Sequence, residues 1–148
     1  MEMTLKVKKL RDGATIPKRA TEGSAGMDLY ALLDEEVTIN PGDIRLIPTG
    51  IAIELPSPEF VAYIFARSGL AIKHGITLAN SVGVVDSDYR GEVCVGLCNV
   101  SNNPYTVTPG ERVAQLVISP VSLMPVTEAD ELSDTQRGAG GFGSTGKS

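Results

Sequence analysis

The sequence predicts an all-β fold, a barrel or a sandwich, and three observations carry that prediction. Strand-like runs rich in Val, Ile and Thr dominate the chain, and several alternate apolar with polar residues. Turn signals punctuate them: "NPGD" at 40–43, "PSPE" at 56–59, "SNNP" at 101–104 and "TPGE" at 108–111. Only one stretch reads as a helix. The chain has 148 residues and is 42% hydrophobic, which suits one domain with a real core.

In chain order the expected strands are "LKVKKL" (5–10), "MDLYAL" (27–32), "EVTI" (36–39), "IRLIPTGIAIEL" (44–55) and "EFVAYIFA" (59–66). After the helix come "GITLANSVGVV" (75–85), "EVCVGLCNV" (92–100), "YTVT" (105–108) and "RVAQLVISPV" (112–121). The helix is "SGLAIKHG", 68–75, with Ser68 as N-cap and Gly75 as terminator. From about residue 126 the composition shifts to acidic residues and then to glycine.

Charge narrows the function classes. A net charge of −5 and a pI near 4.8 argue against nucleic-acid or anionic-membrane binding, which needs a basic face. They allow a small anionic ligand held by local cations and a metal. The start, "MEMTLKVKKL", has no apolar signal core, and no run approaches a membrane-spanning length. The expectation is a soluble, cytoplasmic protein. Cys94 and Cys98 lie about 13 Å apart if extended at roughly 3.3 Å per residue, too far for a disulfide. With one histidine in the chain, a zinc site is not expected either, and both cysteines read as small core residues.

Four segments carry candidate chemistry. In "ARSGLA" (66–71) an apolar strand ends in Arg67, and Ser68 with the following N–H groups opens the helix. That is an anion site, or simply a capped helix with a surface arginine. In "GVVDSDYRGEV" (83–93) Asp86 sits where a strand leaves the core, with Tyr89 close behind. It is a charged hairpin turn, or a general base beside a stacking platform. In "AGMDLYA" (25–31) Asp28 interrupts an apolar run, as a hydrogen-bonded structural carboxylate or as the holder of a metal-bound water. In "GERVAQLV" (110–117) Gln115 is a ligand contact or an edge-strand glutamine.

The end, "RGAGGFGSTGKS" (137–148), fits two phosphate-binding patterns. Gly138, Gly140 and Gly143 satisfy G-x-G-x-x-G, and residues 141–148 satisfy G-x-x-x-x-G-K-[ST]. Both patterns need a strand before and a helix after, and neither is present here. Gly and Ser favour a disordered terminus. Phe142, one of three Phe in the chain, has no use in such an end. A third reading is a mobile lid: glycine for flexibility and N–H groups, Phe142 for stacking, Arg137 and Lys147 for charge.

In this order, "AGMDLYA", "ARSGLA", "GVVDSDYRGEV", "GERVAQLV" and "RGAGGFGSTG" resemble the five motifs of the homotrimeric dUTPases. The resemblance spans nearly the whole chain. It implies a distorted jelly-roll-like β-barrel with one short helix and a flexible Gly-rich C-terminal tail. Residues 1–136 would be a single β-barrel domain and residues 137–148 a lid completing the active site. It implies hydrolysis of dUTP to dUMP and pyrophosphate, assisted by Mg2+, which keeps uracil out of DNA and supplies dUMP for thymidylate synthesis. Asp86 would activate the water that attacks the α-phosphorus. Arg67, Ser68, Gly69 and Gln115 would hold phosphate oxygens, and Asp28 would support the metal through water. Asn80 and the hairpin backbone, Gly83 included, would read uracil, and Tyr89 would exclude a 2′-OH. Phe142 would stack on the base, while Arg137, Gly143, Ser144 and Thr145 would reach the nucleotide from the tail. The partners implied are dUTP and two further copies of the chain, with sites shared between subunits. Alternatives are a dCTP deaminase of the same superfamily, which needs a different site, and a nucleotide-binding regulatory trimer.

Overall fold

Residues 3–143 are described in a computed structural model of the chain. The strands, in order, are β1 (Lys6–Lys9), β2 (Met27–Tyr30), β3 (Val37–Ile39), β4 (Ile44–Pro48), β5 (Ile51–Glu54) and β6 (Phe60–Phe65). Helix α1 (Ser68–His74) follows, then β7 (Ile76–Leu78), β8 (Gly83–Val85), β9 (Cys94–Asn99), β10 (Tyr105–Val107) and β11 (Arg112–Pro120). The all-β class with one short helix is as the sequence indicates.

The strands form four open sheets rather than one closed barrel. The largest has the order β2-β11-β6-β8, and β4-β9-β7 is the next. The pairs β1-β5 and β3-β10 complete the set, and every pairing is antiparallel. Alternation along β2, β7, β8 and β9 buries one side of each against a shared core, in which Leu29, Ile39, Ile47, Ile51, Leu97 and Leu116 are almost wholly removed from water. Asn99 is the buried polar exception, and it is fully engaged. Its amide donates to the carbonyls of Ile39 (2.9 Å) and Asn103 (2.7 Å), and its Oδ1 accepts from the Ser101 N–H (2.9 Å). It thereby fixes the "SNNP" turn to the core.

The expected runs differ from the strands where the backbone must turn sharply. "IRLIPTGIAIEL" is two strands, β4 and β5, broken at Thr49–Gly50, where Gly50 adopts a left-handed φ of 73°. "GITLANSVGVV" likewise divides into β7 and β8 around Ser81, whose φ is 64°. Ser68 is not the N-cap of α1. Arg67 holds that position in extended conformation and makes no side-chain capping bond, so Ser68 is already helical. Gly75 does end the helix, in the left-handed conformation, with its N–H bonded to the last turn. The cysteines are not core residues. In β9 the buried side chains are Val95, Leu97 and Asn99, so Cys94 and Cys98 face the other way and stay half-buried. Among the described residues no helix is long and apolar enough to cross a membrane.

Candidate active site

A cleft of about 230 Å³ opens between β8, the turn after it and the start of β9. It gathers four of the expected residues: Asn80, Gly83, Asp86 and Tyr89. Each is placed by local backbone chemistry. The Val82 N–H donates to the Asn80 carbonyl at 2.7 Å, a tight turn that leaves Asn80 exposed at the rim. Gly83 lies so close to β6 that a Cβ there would meet the Ile64 Cβ at 2.9 Å. Asp86 is the first exposed residue after buried Val85, where the chain leaves the sheet. Its carboxylate has no hydrogen bond or ion pair with any other described residue, so its lone pairs are available to a ligand or water. The Tyr89 hydroxyl donates to the Glu92 carbonyl at 2.8 Å, and the ring folds over Gly91, where a Cβ would come within 2.5 Å of the hydroxyl.

A second cluster sits on one face of the large sheet. Gln115 is opposite Asp28 of β2 on one side and Phe65 of β6 on the other. Since β11 is flanked on both sides, Gln115 is on a central strand, not an edge. Its amide donates to the Ala66 carbonyl at 2.9 Å. Asp28 lies 3.6 Å from both Arg67 Nε and Arg112 Nη1, and Arg67 Nη1 donates to the Arg112 carbonyl at 3.1 Å. The carboxylate thus holds two guanidinium groups side by side at the sheet's end. Ser68 and Gly69 follow Arg67, both exposed. Nothing lies within 4 Å of where a Gly69 Cβ would be, so no intrachain contact requires glycine there.

Tail residues form a third group. Arg137 Nε donates to the Gly140 carbonyl at 2.6 Å, closing a small turn, and Phe142 projects fully into solvent. Gly143 is exposed beside it. Ser144 and Thr145 lie outside the described residues. None of the described tail residues lines the cleft, nor do Arg67 and Gln115.

The strand register measures how far apart the first two groups are. Val85 is opposite Ala62 and Gly83 is opposite Ile64. Continuing that register puts Asp86 beside Val61, six steps along the chain from Arg67, or roughly 20 Å at about 3.3 Å per residue. The sheet therefore carries the free carboxylate at one end of β6 and the arginine pair at the other.

Several site residues had no clear mark in the sequence. Ile64, Glu92, Val93 and Cys94 also line the cleft. Burial pushes the Cys94 thiol up, so it forms a neutral wall. Arg112 joins the second cluster because β11 carries a bulge between Arg112 and Ala114. Without the bulge Arg112 and Gln115, three apart, would face opposite sides of the strand.

The model of the dUTPase family matches residues 12–146. The deoxyuridine 5'-triphosphate nucleotidohydrolase of Desulfitobacterium hafniense is 56% identical over 133 residues, covering 90% of this chain and 88% of that one. The protein of the same name from Neisseria meningitidis serogroup B is 50% identical over 146 residues, covering 99% and 97%. Among solved structures, the Staphylococcus bacteriophage 80alpha dUTPase, solved with dUPNHPP, superposes with a TM-score of 0.87 at 27% identity, covering 97% of this chain and 99% of that one. The chain belongs to the dUTPase family.

Proposed function

We propose that the protein hydrolyses dUTP to dUMP and pyrophosphate, at sites shared between copies of the chain in a homotrimer. The observation that carries the sharing is the register of β8 on β6, which sets Asp86 beside one end of β6 and Arg67 beyond the other, roughly 20 Å apart at about 3.3 Å per residue. A base acting at the α-phosphorus and a cation holding the β- and γ-phosphates are separated by no more than two P–O–P links. One chain cannot supply both to one nucleotide, whereas a cyclic assembly with heterologous contacts repeats the pairing at every site. Exposed apolar side chains support such an assembly: Ile44 and Leu46 on β4, and Val84 on β8. So does the segment 122–136, which stays exposed after Val121 leaves the sheet.

In this reading the base and sugar occupy the cleft of one copy. Asn80 and the backbone beside Gly83 read uracil, and Tyr89 lies against the deoxyribose. Asp86 takes a proton from water as the new bond forms to the α-phosphorus and the bond to the bridging oxygen breaks, releasing pyrophosphate. Arg67 and Gln115 of a second copy hold phosphate oxygens. Gly69 lets a phosphate approach the helix start closely, at the expense of about 1 kcal/mol of helix propensity. Residues 1–136 form the folded domain and residues 137–148 the lid, with Arg137, Phe142 and Gly143, and beyond them Ser144 and Thr145, closing over the nucleotide of a neighbouring copy. The full exposure of Phe142 is consistent with a ring whose partner is the ligand.

Magnesium fits the donor set as an ion carried by the triphosphate. Among the described residues no three His, Cys, Asp or Glu side chains cluster as a metal site. Asp28, shared by two arginines, would support the ion through water. When bound, the ion neutralises phosphate charge and fixes the geometry of the chain of phosphates.

The test is pyrophosphate release from dUTP, dCTP, dTTP, dATP, dGTP and UTP. Release from dUTP well above that from every other nucleotide supports the reading. Ammonia release from dCTP, or binding of dUTP without turnover, refutes it.

A further inference from the structure

The cleft's sugar-facing wall is held from outside the cleft. The Tyr89 hydroxyl has one hydrogen-bond partner among the described residues, the Glu92 carbonyl, at 2.8 Å. Glu92 in turn is fixed at three points through its side chain. Arg11 donates from Nη1 to Oε1 and from Nη2 to Oε2, both at 2.8 Å, and the Gly50 N–H donates to Oε2 at 2.9 Å. The Glu92 carboxyl is lowered from its ordinary value, first by the Arg11 hydrogen bond. This is a planar, bidentate pair that fixes orientation as well as distance, unlike a single-point lysine contact. Arg11 follows β1, 81 residues from Glu92 in sequence, and neither residue's pairing is needed to complete a strand.

We infer that the Arg11–Glu92 pair is a positioning device for Tyr89 and so sets how strictly the protein rejects a ribonucleotide. The inference rests on the proposed dUTP hydrolysis with Tyr89 at the sugar. Arg11 does not itself line the cleft and touches no residue placed on the nucleotide; it reaches the cleft wall only through Glu92. Its influence runs through Glu92, whose backbone carbonyl is the hydroxyl's acceptor. Loosening that carbonyl frees the ring to swing away from Gly91, where it now lies in close contact, and opens space for a 2′-OH. A general salt bridge between β1 and the core would alter stability alone. A positioning pair alters the ratio of two substrates that differ by one hydroxyl.

The experiment compares kcat/KM for dUTP with that for UTP in the full-length protein and four variants: Tyr89→Ala, Arg11→Ala, Arg11→Lys and Glu92→Gln. Tyr89→Ala sets the fully relaxed ratio. Discrimination of a small group by pocket fit is worth about 10–200-fold, so Arg11→Ala is expected to lower the ratio about tenfold, toward the Tyr89→Ala value. Arg11→Lys, which keeps the charge but loses the fork, falls between. Glu92→Gln keeps the side-chain shape and an acceptor for Gly50, and tests the pair even where Arg11→Ala destabilises the fold. A wild-type ratio in Arg11→Ala or in Glu92→Gln, with a lowered ratio in Tyr89→Ala, overturns the inference and leaves the hydrolase reading intact. An unchanged ratio in Tyr89→Ala overturns it as well, by removing Tyr89 from the sugar. Absence of dUTP hydrolysis in the unmodified protein instead refutes the underlying function.

Discussion

Two substitutions beside opposite ends of β6, at Asp86 after β8 and at Arg67 before α1, test the shared site by complementation. Asp86→Asn removes the base, and Arg67→Ala removes the phosphate clamp about 20 Å away on the same chain. Each alone should lower turnover, the first by about 10²–10⁴, the usual loss for a general base. Unfolding the two variants together and refolding them yields mixed trimers. A site works when the chain supplying its cleft has Asp86 and the chain supplying its arginine has Arg67. With equal mixing each condition is met about half the time, so about a quarter of wild-type activity should return. The assay is initial-rate pyrophosphate release after removal of denaturant, with each variant refolded alone as the control. Activity that stays at the level of the single variants would mean that Asp86 and Arg67 serve one site from one chain. That result would refute the register argument while leaving the family assignment untouched.

Deleting residues 137–148 should abolish most turnover yet leave the melting temperature without ligand within about 2 °C, because the described tail residues bury almost nothing. A larger loss would make the tail structural. Gly83→Ala should cost about 1–3 kcal/mol by overpacking against Ile64, a thermal shift of about 2–4 °C per kcal/mol. An unshifted melt would show that β8 can move off β6. The lowered Glu92 carboxyl gives a pH signature. Its contribution to stability is present above its ordinary value of 4.5 and is lost as pH falls through the depressed folded value. The stability gap between wild type and Arg11→Ala should therefore shrink on acidification below that range, read from melting temperature against pH. A constant gap would exclude a charged pair as its source.

Sequence patterning made the strands legible because alternation survives in a single chain. The run 92–100 shows the limit. Its period places Val95 and Leu97 on one face and the cysteines on the other, yet half-apolar cysteines read as core without knowledge of which face is covered. Asp86, Asn80 and Tyr89 were legible because the short segment around β8 carries them within ten residues. Arg112 was not, because a bulge decides which way it faces, and a bulge leaves no mark in apolar periodicity. Arg11 and Glu92 were invisible for a different reason: their meeting depends on tertiary register across 81 positions. The Ser68 cap failed locally, since a Ser before an apolar run is also compatible with the first helical position, and Arg67 was already extended.

Everything proposed for the cleft turns on water attack at the α-phosphorus of dUTP under the control of Asp86. Turnover in heavy-oxygen water followed by mass spectrometry of both products tests it most directly. The label is expected in dUMP, with pyrophosphate unlabelled, and with the same partition in the residual turnover of Asp86→Asn. Label in pyrophosphate would place the attack at the β-phosphorus and contradict the roles given to the cleft and the arginine pair.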